Sequence, residues 1–283
     1  GSVGRSDDGD PRAWYAILTI GYSSDRDLHV HHDRVAYNGG SAVAAIRDRG
    51  LPEAFAQMTI QGYALDDVTE APEAWDAPAL EALPWDEAEK ERRLRAVLQL
   101  AESCDYEAEH THQVTRLALR LFDELRPLHR LGAKERFWLR CGALLHDIGW
   151  IQGQKGHHKT SLRLILGAPD LPFDERERFI IGSVARYHRR ALPNDKHDHL
   201  AALSPVDQYR VTILAALLRV ADGLDRTHRN VVEDLSCGIS PRQIIVCCAV
   251  RMYPIPEREY ALDKAELLER AFDRELLVEW NLV

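Results

Sequence analysis

Four stretches of the sequence place imidazole or carboxylate groups on helical stripes that are otherwise apolar. His110 lies four residues before Val114, on the apolar stripe of its segment. His146 and Asp147 close the apolar face of a third helical segment, just before an Ile148-Gly149 break. His188 follows Ile181 and Val184 at helical spacing, and Asp222 lies four residues after Leu218. Each of these alone has an ordinary explanation, such as a satisfied core histidine, a helix cap or an ion pair. Together they bury two carboxylates and three or more imidazoles drawn from four helices. An unpaired buried carboxylate costs several kcal/mol, so a shared cation accounts for the set most economically. The bland alternative is a structural hydrogen-bond network.

The elements that must position these groups can be read from the same pattern. From residue 87 onward the chain is a series of amphipathic helices. EAEKERRLRAVLQLAES aligns Leu94, Val97, Leu98 and Ala101, and a second helix, running to about Leu125, aligns Val114, Leu117, Ala118, Leu121 and Leu125. A third begins near Lys134 and carries Phe137, Cys141, Leu144, Leu145 and Ile148; others cover about 158–166, 175–190 and 207–226. RQIIVCCAV (242–250) then reads as a strand, ALDKAELLERAFDR as a helix and ELLVEW as a closing strand. Ahead of these, 13–20 and 28–37 read as strands. A Gly39-Gly40 break precedes a helix capped by Ser41 and stopped at Gly50. Residues 66–86, rich in Asp, Glu, Ala and Pro, read as a strap. The expected organisation is a small α/β amino-terminal segment (1–85) and a mainly α domain (86–283) ending in strand-helix-strand.

Bulk properties narrow the function. The 283 residues carry a formal charge of −9, which disfavours duplex nucleic acid or a membrane surface as partner. Local basic groups run the other way: Arg186, Arg189, Arg190 and Lys196 cluster near one histidine, and Arg219, Arg226 and Arg229 near Asp222. That arrangement suits a small anionic ligand. The five cysteines, Cys104, Cys141, Cys237, Cys247 and Cys248, form no Cys-x-x-Cys pair and are expected to be buried thiols. No run approaches about 18 apolar residues, and the polar, acidic start lacks the order of a secretion signal. The expected location is cytoplasmic.

The order His110…His146-Asp147…Asp222 resembles the HD superfamily of metal-dependent phosphohydrolases. More narrowly, ALLHDIGW, GHHKTS, VARYHRR and LLRVADGLDRTH resemble the carboxy-terminal HD-like domain of the exopolyphosphatase and guanosine pentaphosphate phosphohydrolase family, over about 90 to 280. Two departures matter. Residues 1–85 are too short for that family's actin-like ATPase half and show no Gly-rich phosphate loop. Thr160 stands where the family often has a further His.

The resemblance implies an HD-type helical domain in which His110, His146, Asp147 and Asp222 hold one divalent ion. Asp147 would bridge to a second, held by His188 and by His157 or His158. Helical phase favours His158, which aligns with Leu162 and Ile165. Nitrogen and carboxylate ligands suit one or two ions of Mn, Fe, Ni, Co or Mg. Lys159, Arg189 and Arg226 lie one to four residues from proposed ligands and are candidate phosphate contacts. His146 and Asp147 are the expected catalytic centre of metal-assisted hydrolysis of a nucleotide or other phosphorylated small molecule. The rivals are a non-catalytic module binding polyphosphate, a nucleotide or a protein, and an HD-type di-iron oxygenase. A carboxy terminus that ends in a strand allows edge pairing, and so a homo-oligomer.

Other histidines read as structural. His29, His31 and His32 sit in a strand and split between its faces. His197 and His199 belong to the polar stretch PNDKHDH and read as solvated, His112 lies on another helical face from His110, and His228 follows Asp222 closely enough to approach the site.

Overall fold

The computed structural model describes residues 13–20, 28–35, 39–49, 51, 53–62, 85–253 and 255–283, with side chains from residue 42 onward except Ala44 and Ile255. The strands β1 (Ala13–Ile20) and β2 (Leu28–Val35) pair antiparallel, with Ala13 opposite Val35. They are followed by α1 (Gly39–Asp48) and α2 (Glu53–Gln61), whose Val43, Ala56 and Ile60 form a small core of their own. The helix α1 begins two residues before Ser41, and α2 was not anticipated. The side chains of His29, His31 and His32 and most of the 66–86 strap lie outside the described residues.

The helical body begins at α3 (Glu87–Ser103), where the Asp86 carboxylate caps the first turn by accepting from the Glu89 amide at 2.7 Å. It continues through α4 (Ala108–Glu124), α5 (Arg126–His129) and α6 (Ala133–Leu144) to a 3-10 turn (Ile148–Gln152). Then come α7 (His157–Leu166), α8 (Glu175–Arg186), α9 (Asp198–Ala201) and α10 (Pro205–Gly223). The helix α10 is the axis of the body and packs on α4, α6 and α8. It starts at Pro205 rather than near 207, with Ser204 as the cap and proline in the first turn, and Leu214, Leu217, Leu218 and Val220 along it are fully buried. Each such aliphatic side chain contributes about 1.5–3 kcal/mol of transfer free energy. No described helix is long and apolar enough to cross a membrane.

The carboxy-terminal part is a three-stranded sheet in the order β3-β4-β5, made of β3 (Val232–Ile239), β4 (Gln243–Val250) and β5 (Glu275–Leu282). The strands β3 and β4 form an antiparallel hairpin. β4 and β5 are parallel, so the chain must cross over between them. That crossover is two helices, α11 (Ile255–Asp263) and α12 (Glu266–Phe272), where the sequence pattern reads as one. Strand β3 was also unanticipated, because its Glu233, Asp234 and Ser236 hide the alternation. A row of α4 side chains supports it instead. Gln113 donates to the Val232 carbonyl, Arg116 to those of Val232 and Glu233, and Arg120 to that of Leu235, while Glu124 accepts from the Cys237 amide. An exposed sheet edge is thereby satisfied from a helix. All five cysteines are free and buried.

The chain is therefore mainly α with a carboxy-terminal β-α-β element and a small α/β segment at its start, as expected. Differences at α8 matter for the site. The helix stops at Arg186 rather than near 190, and Arg190 adopts a left-handed conformation (φ 60°), so His188 lies in the turn beyond the helix.

Candidate functional site

His110 comes from the first turn of α4, His146 and Asp147 from the turn after α6, His157 from the first turn of α7, His188 from the turn after α8, and Asp222 from the last turn of α10. The four histidines are at most 1% exposed. Three of them share one anchoring device: the ring Nδ1 reaches the backbone carbonyl three residues earlier. His146 bonds Ala143 at 2.7 Å, His188 bonds Ala185 at 2.7 Å and His157 bonds Gln154 at 3.0 Å. Helix ends leave carbonyls without partners, and here imidazoles take those of Ala143 and Ala185. A carbonyl only accepts, so Nδ1 carries the proton and Nε2 is left as a lone pair. His110 is held by a carboxylate instead: its Nδ1 lies 2.8 Å from Asp225 Oδ2.

The four Nε2 atoms converge on two carboxylates. Asp147 Oδ1 is 3.1 Å from His157 Nε2 and 3.4 Å from His188 Nε2, and Asp147 Oδ2 is 3.5 Å from His146 Nε2. Asp222 Oδ1 is 3.5 Å from His110 Nε2 and 4.0 Å from His146 Nε2. Ligand atoms of His110, His146 and Asp147 lie within 4.8 Å of one another, as do those of Asp147, His157 and His188. The two groups share Asp147.

These residues fit a cation. His110 Nε2, His146 Nε2 and Asp147 Oδ1 are buried without a hydrogen-bond partner, and the His157 and His188 Nε2 atoms face each other at 3.4 Å. With both protons held on Nδ1, two lone pairs and a carboxylate oxygen oppose one another unless a positive charge lies among them.

The electrostatics record the crowding of imidazole around carboxylate. Burial pushes the Asp147 carboxyl up, but His146, His157 and His188 outweigh it and hold the group well below the usual carboxylate range. Burial acts on Asp222 in the same sense and is overcome by Lys264 and His110, again leaving the pKa low. Burial also works against the His110 imidazolium, yet bonds to Asp222 and Asp225 raise its pKa to about 10. His188 is driven well below its ordinary value, first by burial.

The family model for domain III of the Ppx/GppA phosphatases matches residues 92–251. The chain belongs to the Ppx/GppA phosphatase family. No curated protein matches it. The Ppx/GppA match runs from within α3 to the end of β4 and takes in every histidine and aspartate of the constellation.

Within this Ppx/GppA domain, helical phase pointed to His158, whereas His157 is the member of the pair that meets Asp147. Successive residues on a helix point about 100° apart, so only one of the two can face the carboxylate. His157 is packed between the Trp150 ring (5.0 Å) and the His188 ring (5.4 Å). His158 is buried too, but its Nδ1 has no partner.

Of the three basic candidates, Arg189 is at the site, with Nη1 3.4 Å from His157 Nε2. Arg226 lies over the Tyr260 ring at 4.3 Å, and Lys159 is exposed. His228 approaches His110 as a stacked ring (3.7 Å between centroids, 5° between planes), with its Nδ1 2.8 Å from Glu107. His112 is exposed, as expected, and contacts the Tyr106 hydroxyl. His197 and His199 are not solvated: they stack together and half-bury against Tyr187, whose hydroxyl is 2.7 Å from His197 Nδ1.

Two participants escaped sequence reasoning. Asp225 is fully buried and joins His110 to the Asn230 amide; its spacing of three from Asp222 on one helical face was the available signal. Lys264 forms an ion pair with Asp222 from the break between α11 and α12, and no local pattern foretold it.

Proposed function

We propose that this chain is an HD-type metal-dependent phosphohydrolase that releases phosphate from a nucleotide or another phosphorylated small molecule. The observation that carries the reading is the convergence of four buried imidazoles, each with Nδ1 committed to an acceptor, on the carboxylates of Asp147 and Asp222. An acceptor held against Nδ1 in this way fixes the tautomer a metal ligand needs. His110, His146, Asp147 and Asp222 would hold one divalent ion, and Asp147, His157 and His188 a second, chosen from Mn, Fe, Ni, Co or Mg. Such ions lower the pKa of water and polarise a phosphoryl oxygen.

The protein's own contribution is positioning. Asp147 spans both groups, so it sets their separation. Asp225 and the three backbone carbonyls hold the rings against rotation, and the Trp150 ring covers one face of His157. Arg189 is placed beside His157 to take a phosphate oxygen. Lys264, paired with Asp222, supplies positive charge at the other end. Residues 86–283 form the unit to which this reading applies.

The test is metal analysis of the purified protein, followed by phosphate release from a panel of nucleotides, phosphomonoesters and polyphosphates with Mn²⁺ added. Release by the wild type that is lost in Asp147→Ala, with folding intact, supports the reading. Metal-loaded wild type that cleaves no panel member would sink it. In that event, tight polyphosphate binding without turnover identifies a binding module, and oxygen uptake with bound iron identifies an oxygenase.

A further inference from the structure

Beside the constellation lies a second set of buried polar atoms that it does not use. The helices α7 and α8 run against each other so closely that a Cβ on Gly182 would come within 2.8 Å of Leu162 Cδ1. One turn from that contact, toward the start of α7 and the end of α8, come His158 and Arg186. Arg186 is 5% exposed, yet no carboxylate among the described residues pairs with it, and its Nη1 has no hydrogen-bond partner. The Tyr187 ring lies 5.6 Å from the guanidinium carbon. His158 is 3% exposed with Nδ1 unpartnered, Ser183 is fully buried with Oγ unpartnered, and His199 Nε2 is buried and unpartnered. The Tyr187 ring that meets Arg186 also lies 5.4 Å from the His199 ring, Ser183 precedes Arg186 by three residues on α8, and Arg186 acts electrostatically on both His158 and His199. Arg189 and Arg190 also bear on His158.

A buried guanidinium with no counter-charge is strongly unfavourable. Three unpartnered polar atoms accompany it, from His158, Ser183 and His199, each able to donate and none carrying a negative charge, which is the donor set of an anion site. Guanidinium, imidazole and hydroxyl donors together match a tetrahedral oxyanion.

We propose that Arg186, His158, Ser183 and His199 form a subsite for a phosphate-sized oxyanion next to the histidine–aspartate constellation. Resting on the phosphohydrolase reading, its occupant during turnover is a phosphoryl group of the substrate other than the one being cleaved. The site itself requires no divalent ion.

The experiment uses the full chain in EDTA, with inorganic phosphate as the probe, followed by calorimetric titration and thermal melting. Phosphate raises the melting temperature of the wild type. Arg186→Met lowers phosphate affinity at least tenfold and abolishes that rise. Without phosphate, Arg186→Met melts no lower than wild type, because it removes a lone buried charge. Wild-type phosphate affinity in Arg186→Met overturns the proposal. So does a wild type that does not respond to phosphate while Arg186→Met melts lower, since Arg186 is then structural. If Arg186→Met does not fold, Ser183→Ala takes its place: a several-fold loss of affinity supports the site, and no change overturns it. Weak phosphate binding that is equal in all variants marks an adventitious ion only and also overturns it. Arg186-dependent binding without any hydrolysis leaves this site standing and removes the phosphohydrolase reading. Hydrolysis that depends on Asp147 but has an unaltered KM in Arg186→Met does the reverse.

Discussion

Replacing Asp225 by asparagine changes one buried oxygen into an amide nitrogen and leaves the volume almost unaltered. Asp225 now accepts twice, from the Asn230 amide at 2.9 Å through Oδ1 and from His110 Nδ1 at 2.8 Å through Oδ2. Asparagine has one accepting oxygen, so its NH2 must face one of those two donors. If it faces Asn230, two donors oppose each other in a fully buried place. If it faces His110, the ring must move its proton to Nε2, where the proposed ion would bind. Either way the ligand geometry of His110 suffers. Loss of an outer-shell partner costs about 10–100-fold in metal affinity, or about 1.4–2.7 kcal/mol. Titration of Mn²⁺ into chelator-treated wild type and Asp225→Asn, by calorimetry at one pH, measures this directly. Affinities equal within about threefold, with the variant folded, would refute the idea that Asp225 sets the His110 tautomer.

Three further outcomes are expected. Lys264→Met leaves Asp222 without its ammonium partner; with both groups largely buried (17% and 13% exposed), urea unfolding in EDTA should show a loss of about 3 kcal/mol, much of it recovered with Mn²⁺. Equal stability in EDTA contradicts this. Gly149→Ala puts a Cβ 2.0 Å from the His157 carbonyl, so α7 must shift, stability should fall by about 1–3 kcal/mol, and His157 should leave Asp147; a variant with normal stability and metal content argues against that packing. His129 is the pH reporter. Burial, against a bond to the Phe122 carbonyl, lowers its pKa to about 4. The unfolded chain therefore binds the extra proton between about pH 6.5 and 4, and stability held above that window is lost as pH falls through it. Between pH 7 and 5 the loss is about 2 kcal/mol. His129→Gln should remove that part of the difference in urea melts, and an unchanged difference counts against it.

The amphipathic period of α3, α4, α6 and α10 and the apolar runs of β1, β4 and β5 were legible because each is a local pattern repeated over eight or more residues. The constellation was legible for the same reason: a polar residue on an apolar stripe stands out, as His110, His146, His188 and Asp222 do. Less was visible where stability comes from elsewhere in the fold. Strand β3 depends on α4 side chains that bond its backbone, so its own residues need not alternate. The break between α11 and α12 has no local signal, and α11 crosses so close to α10 that a Cβ on Gly223 would come within 2.6 Å of Ala261.

The sequence alone determined which residue types would be buried together, since burial follows from helical period and a buried charge needs a partner. It could not decide which atoms face one another. The choice of His157 over His158 depends on how α7 is rotated against Trp150 and His188. The roles of Asp225 and Lys264 depend on contacts 115 and 42 residues apart in the chain. Arg186 read as one of four clustered basic residues, yet the tertiary structure buries it against α7 without a counter-charge. His146-Asp147 was visible in the sequence, and a carbonyl three residues earlier holds the His146 tautomer, but its two groups of neighbours were set by the packing of the surrounding helices.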